Sequence, residues 1–211
     1  MAYSVKEIYF TLQGEGAQTG RPAVFCRLTG CNLWTGREAD RARAVCGFCD
    51  TDFVGIDGPG GGRFETAANL AEAVLQHWPQ DHAERPFVVL TGGEPLLQAD
   101  AALLEALHHA GLEVALETNG TLPLPAAFDW VCVSPKAGAR LAITQGDELK
   151  LVYPQANLDP ADFVGLDFRH FYLQPLDSPT AEQNTEQAME YCRRHPHWRL
   201  SLQTHKILGI R

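Results

Sequence analysis

Seven short runs rich in β-branched and aromatic residues set the strongest constraint on the fold, because helical patterns separate only some of them. They are Ala23–Leu28, Phe87–Leu90, Glu113–Glu117, Trp130–Val133, Glu148–Val152, Phe171–Gln174 and the weaker Arg199–Gln203. Thr66 can cap a helix running to about Trp78, Leu97 to Ala110 is amphipathic before Gly111, and Ala181 to His195 stops before Pro196. Alternating strands and helices build parallel sheets. About six parallel strands with about three helices are too few for a closed eight-unit barrel, so the expected architecture is α/β, a partial and open TIM-like barrel.

A chain of 211 residues without internal repeats fits one domain over 1–211. The one linker-like piece, Gly55 to Gly62, lies too early to divide it. With 26 acidic against 17 basic residues the formal charge is −9, which disfavours nucleic acid or an anionic membrane as a partner. MAYSVKEIYF has no signal-peptide pattern and no apolar stretch is long enough to span a bilayer, so the expected location is cytoplasmic.

Polar and Gly-rich motifs follow the strand runs: TGGEP after Val88–Leu90, TNG after Leu116, SPK after Val133 and QPL after Leu173. Loops at the carboxyl ends of parallel strands are where such folds build sites, so these motifs are expected to converge. Any one of them alone is as well explained as a turn.

Of the six cysteines, Cys26, Cys132 and Cys192 fall inside strands or a helix and read as packed small hydrophobes. Cys31, Cys46 and Cys49 form C-x14-C-x2-C directly after the first strand run. Structural zinc needs a fourth ligand, for which His77 or His82 is conceivable. A [4Fe–4S] cluster held by three cysteines instead leaves one iron open to a small molecule.

The three-cysteine loop resembles that of the radical S-adenosylmethionine (SAM) superfamily, with the first gap longer than the usual three residues. Together with LQGEG at Leu12–Gly16, TGGEP at Thr91–Pro95, ETNG at Glu117–Gly120, VSPK at Val133–Lys136 and QTHK at Gln203–Lys206, the expanded loop at about 30–62 is similar to the 7-carboxy-7-deazaguanine synthase family. That resemblance implies a lyase converting 6-carboxy-5,6,7,8-tetrahydropterin to 7-carboxy-7-deazaguanine with loss of ammonia, on the route to deazapurines such as queuosine. It implies a [4Fe–4S] cluster, SAM and Mg²⁺ as cofactors, a flavodoxin-like electron donor and a homodimer. Rival readings are another radical SAM enzyme such as a glycyl-radical activase, an iron–sulfur electron carrier, and a zinc-stabilised binding module.

Carried onto this chain, the resemblance implies that Cys31, Cys46 and Cys49 ligate the cluster and that Thr51 offers a hydroxyl to Mg²⁺. SAM would meet Phe48, Cys49 and Asp50, Gly92, Gly93 and Glu94, Ser134, Pro135 and Lys136, and Gln174. Glu94 would accept from the SAM ammonium, and Arg27 would offer a fork to the substrate carboxylate. Leu12, Gln13, Gly14, Glu15, Thr91, Glu117 and Asn119 would bind the pterin, with His205 a polar contact or proton shuttle. The terminal carboxylate of Arg211 would pair with the pyrimidine edge.

Overall fold

The computed structural model describes residues 2–211. Nine strands form one sheet, β1 (Tyr3–Leu12), β2 (Pro22–Leu28), β3 (Gly62–Phe64), β4 (Phe87–Gly92), β5 (Glu113–Thr118), β6 (Trp130–Val133), β7 (Gln145–Tyr153), β8 (Asp167–Pro175) and β9 (Arg199–Leu200). Their spatial order is β3-β1-β2-β4-β5-β6-β7-β8-β9. From β2 to β9 every pairing is parallel, whereas β1 joins β2 and β3 antiparallel. The sheet is open, with β3 and β9 at its ends, as a partial barrel requires.

Helices α1 (Ala67–Gln76), α2 (Ala101–His109) and α3 (Ala181–Arg194) cover the outer face, and a short α4 (Thr204–Leu208) follows β9. Thr66 caps α1 by accepting from the Asn69 amide, and Asp100 caps α2 by accepting from the Leu103 amide at 2.9 Å. That cap starts α2 four residues later than the amphipathic pattern implies. Leu70 and Val74 of α1 and Leu103 and Leu107 of α2 are fully buried. Each such side chain contributes about 1.5–3 kcal/mol by leaving water.

Three strands depart from the sequence reading. β3 falls in no expected run and starts at the end of the linker-like piece. β1 is absent from the expected strands because its alternation breaks: a register shift between Val5 and Glu7 sends Val5 and Ile8, three residues apart, into the same core. The run Arg199–Gln203 is a strand only at Arg199–Leu200. Ser201 still donates its amide to Leu173, but the chain then peels away so that the Thr204 amide reaches the carbonyl of Gly14 at 2.9 Å.

Alternation on the parallel strands divides two environments. Cys26, Leu90, Leu116, Val133, Leu149 and Leu173 point to the helix-covered core. Their neighbours Arg27, Thr91, Glu117, Cys132, Lys150 and Gln174 point into the barrel. The ladder sets Arg27 beside Thr91, Glu117 beside Cys132, and Cys132 beside Glu148, so a belt of polar side chains faces one interior. Among the described residues no helix is long and apolar enough to cross a membrane.

Candidate functional site

The interior is a cavity of about 540 Å³ at the carboxyl ends of the parallel strands. Cys31, Cys46 and Cys49 line one end, and Gln13, Glu15, Glu117 and Lys150 line the other. Thr91, Gly92, Gly93, Ser134, Lys136 and Gln174 from the strand ends, and Phe48, Asp50 and Thr51 from the cysteine loop, line it as well. Leu12, Gly14, Arg27, Asn119, His205 and Arg211 also face it.

The cysteine end is made by a loop with little regular structure. Arg41, in a 3₁₀ turn at Glu38–Arg43, donates to the carbonyls of Gly47 and Cys49 at 3.0 Å each and stacks its guanidinium 4.1 Å over Trp34. The Leu33 amide donates to the Cys31 sulfur at 3.4 Å. Cys46 hydrogen-bonds Cys49, which brings the Cys49 thiol down to about 6 and drives its partner well up. Burial pushes the Cys31 thiol up, while backbone amides oppose that shift. The buried Lys136 ammonium faces Cys46 and Cys49, and burial lowers its pKa.

This donor set fits an iron–sulfur cluster. Three thiols facing one cavity, with an amide on one sulfur and a buried cation near the other two, suit thiolates that each take a separate iron. Among the described residues no three His, Cys, Asp or Glu side chains converge as one metal ion would need. The zinc alternative also lacks its fourth ligand: His77 bonds the Ala73 carbonyl at 2.8 Å and His82 packs on Phe10 and Trp78, both outside the cavity.

TGGEP braces the cysteine loop. The Glu94 amide donates to Gly30 at 2.8 Å, and a Cβ on Gly93 would lie 2.3 Å from that same carbonyl and 2.7 Å from the Cys31 Cβ. Two expected contacts need correction here. Glu94 is fully buried and does not line the cavity, because its carboxylate accepts from Thr118 Oγ1, the Leu96 amide and the Asn119 amide. Pro135 is likewise buried away from the space, and its carbonyl accepts from Gln155.

Other side chains face the cavity with partners already in place. Asn119 Nδ2 donates to Asn32 at 2.9 Å while its Oδ1 accepts from Thr121, so it ties the cysteine loop to the turn after β5. Arg27 gives Nε to Glu7 at 2.9 Å and Nη2 to Tyr9 at 3.2 Å, which leaves Nη1 of its fork. Arg211 places its guanidinium on the other oxygen of Glu7 at 2.6 Å and over the Tyr9 ring, and its backbone oxygen accepts from Thr11. The chain end therefore lies beside Arg27, sharing Glu7 with it. Lys136 donates to the carbonyl and hydroxyl of Ser134 at 2.6 Å each. His205 sits on α4 instead of a strand and covers Gly14 so closely that a Cβ there would lie 2.3 Å from its Nδ1.

The far end holds two groups, Lys150 and Gln203, to which the motifs assign no role. Lys150 pairs with Glu15 and lies 3.6 Å from Glu117, Gln203 donates to the other oxygen of Glu15, and Gln13 Nε2 donates to Glu117 at 3.0 Å. Burial opposes ionisation of Glu15, but the Lys150 charge and the two hydrogen bonds outweigh it and hold the carboxyl at about 2. A signal for Lys150 does exist in DELKLV, where Glu148, Lys150 and Val152 share one face of a strand whose other face is Leu149 and Leu151.

The cavity combines a three-thiol rim with a polar floor, and comparison with known proteins gives that combination a family. Residues 41–144 match the Radical SAM superfamily. The chain is 62% identical over 210 residues to 7-carboxy-7-deazaguanine synthase of Bordetella pertussis, with both chains fully covered. The chain belongs to the 7-carboxy-7-deazaguanine synthase family. The Burkholderia multivorans relative of the same name is 59% identical with full coverage of both. The crystal structure of QueE from Escherichia coli superposes with a TM-score of 0.69 at 28% identity, covering 96% of this chain and 94% of that one. As a member of this radical SAM family the chain is an enzyme of deazapurine biosynthesis acting on a small molecule, with a [4Fe–4S] cluster and SAM as cofactors. The electron-carrier, binding-module and activase readings are set aside.

Proposed function

We propose that the cavity converts 6-carboxy-5,6,7,8-tetrahydropterin to 7-carboxy-7-deazaguanine with release of ammonia, in a Mg²⁺-dependent ring contraction. The observation that carries this reading is one space bounded at one end by Cys31, Cys46 and Cys49 and at the other by Gln13, Glu15 and Glu117. A carboxylate accepts two parallel bonds from an N–H and an adjacent NH₂, the pattern an amino-pyrimidine edge presents. When bound, the cluster supplies the electron that cleaves SAM to a radical able to abstract a substrate hydrogen.

The protein's share of the work is orientation. The backbone of Gly92, packed on Leu28, and of Gly93, packed on Gly30 and Cys31, suits the SAM ammonium, with the Glu94 carboxylate tying TGGEP to the turn after β5 through Thr118 and Asn119. Phe48, Ser134 and Gln174 fit its adenine, carboxylate and ribose. Thr51 offers an oxygen to Mg²⁺, which prefers hard ligands and bridges readily to a substrate carboxylate. Arg27, steadied by Glu7, adds its free Nη1 to that carboxylate. His205 on α4 stands over Gly14 as the candidate to move a proton.

We read 1–211 as one radical SAM domain whose loop at about 30–62 carries the cluster, supported by the single continuous sheet. A flavodoxin-like donor, a homodimer and a cytoplasmic location complete the proposal, the last suited to six unpaired cysteines.

Anaerobic reconstitution with iron and sulfide, reduction, and addition of SAM, the tetrahydropterin and Mg²⁺ tests the reading. Deazaguanine formation with one ammonia per turnover is the expected result. A colourless protein holding one zinc, or SAM cleavage without ammonia, would refute it.

A further inference from the structure

The floor of the cavity carries an ionic arrangement that the substrate contacts alone do not require. Lys150 lies on β7 with its side chain 6% exposed, and it faces acids from three directions. Glu15 comes from the turn after β1, Glu117 from β5, and Glu148 from its own strand. Cys132 of β6 also faces it, and His205 acts on Glu15 from α4. Lys136 is the other buried ammonium within electrostatic reach. Glu148 is turned away, accepting from the Ala17 amide at 3.0 Å and from Cys132, and burial raises its pKa. The two acids that line the cavity and pair with Lys150 are therefore Glu15 and Glu117.

We propose that Lys150 is a positioning residue for substrate selection: its ammonium, paired with Glu15 and 3.6 Å from Glu117, holds the two carboxylates at one separation, so that together they accept from the donor edge of a 2-amino-pyrimidine. Two carboxylates crowded in a poorly solvated space cannot both stay ionised without a cation, since one would take up a proton to relieve the repulsion. A protonated carboxyl turns one acceptor into a donor and meets the N–H and NH₂ of the substrate with the wrong polarity. Lys150 leaves the trio with one surplus negative charge, which suits a neutral edge rich in donors. Gln203 donates to the remaining oxygen of Glu15, Gln13 donates to the Glu117 oxygen that faces Lys150, and Thr91 donates to the other at 3.4 Å, so neither carboxylate can rotate freely. This inference rests on the pterin reading and adds the group that makes its carboxylates competent.

The test compares 6-carboxypterin with 6-carboxylumazine, which carries an oxygen in place of the 2-amino group, in equilibrium binding to the SAM-loaded holoenzyme. The wild-type chain should prefer the pterin by on the order of 100-fold, because the lumazine leaves buried acceptors unpaired. Lys150→Met should reduce that preference at least about tenfold while iron content stays at the wild-type level. Its kcat/KM should fall more steeply than that of the wild type as pH drops toward 6, since loss of the cation lets a carboxylate protonate at higher pH. In a Glu15→Gln background, Lys150→Met should cost clearly less than it does alone. That neutral double variant also carries the test should the single variant not fold. A wild-type chain that binds both probes equally would overturn the pyrimidine-edge reading itself. A wild type that discriminates, with Glu15→Gln losing the preference and Lys150→Met keeping both preference and pH profile, would overturn the role of Lys150 alone.

Discussion

The two ends of the cavity are held in opposite ways. The cysteine rim is one long loop, kept in place by Arg41 reaching two backbone carbonyls and by a 4.1 Å stack on Trp34, with little strand or helix of its own. The floor joins Glu117 of β5 and Lys150 of β7 to Gln13 and Glu15 from the turn after β1 and to Gln203 just before α4, locked by a buried ion pair and amide hydrogen bonds. A loop can accept a bulky inorganic group because its backbone adjusts. A floor that reads hydrogen-bond polarity must not adjust, so its cation and one of its acids stand on strands of the sheet and tie down the turn residues.

Breaking the rim at its ligands should have the largest effect. Alanine at Cys31, Cys46 or Cys49 should abolish both product formation and the visible absorption of the reconstituted cluster; any of the three retaining both would remove that residue from the ligand set.

Next comes the contact where the chain end meets the floor. Gly14→Ala would set a methyl against the His205 ring, displacing α4 and lowering kcat/KM by roughly 100-fold, the scale at which an ångström of misplacement acts. Iron content should not change, and near-normal turnover would show that His205 has no part in the chemistry.

A smaller effect separates the two ends by stability. Arg41→Met loses its bonds to Gly47 and Cys49. Iron loss to a chelator should then run roughly fivefold faster with pterin affinity unchanged; a matching loss of affinity would mean the ends are not independent.

Cys192→Ala should do least. Its thiol lies half-buried on α3, so turnover and cluster content should be preserved, with a stability change below about 1 kcal/mol by thermal unfolding. Loss of the cluster in this variant would contradict a three-cysteine site.

The same contrast explains which residues disclose their role in the sequence and which do not. The rim is legible because its chemistry is contiguous: Cys46, Phe48, Cys49, Asp50 and Thr51 all face the cavity from one stretch of chain. The parallel strands are legible as apolar runs, and Thr66 as a cap. The floor is legible only where a motif supplies a role for its members, as with Glu15 and Glu117. Lys150 shows only as the polar face of DELKLV, and Gln203 shows no role at all, because a polar residue in or beside a strand looks the same whether it faces water or a buried acid. β1 is hidden by the register shift that breaks its alternation, and Glu7 and Tyr9 are hidden with it. Glu94 and Asn119 show the reverse case. Their motifs mark them as ligand contacts, whereas their side chains are occupied in holding neighbouring loops together.

No backbone ladder closes the gap between β9 and β1. It is bridged by Thr204 on Gly14, Ser201 on Gly16, and Thr11 and Glu7 on Arg211. A handful of hydrogen bonds there separates the cavity from solvent, while the cysteine loop covers another side and the parallel strands form the rest as cooperative sheet. Traffic of a flat bicyclic molecule therefore has a low-cost doorway at α4, which can lift without disturbing any strand pair. Amide exchange should be fastest at 204–210 in the free enzyme and slow there when substrate binds, so departure of product can be timed by the chain's last turn.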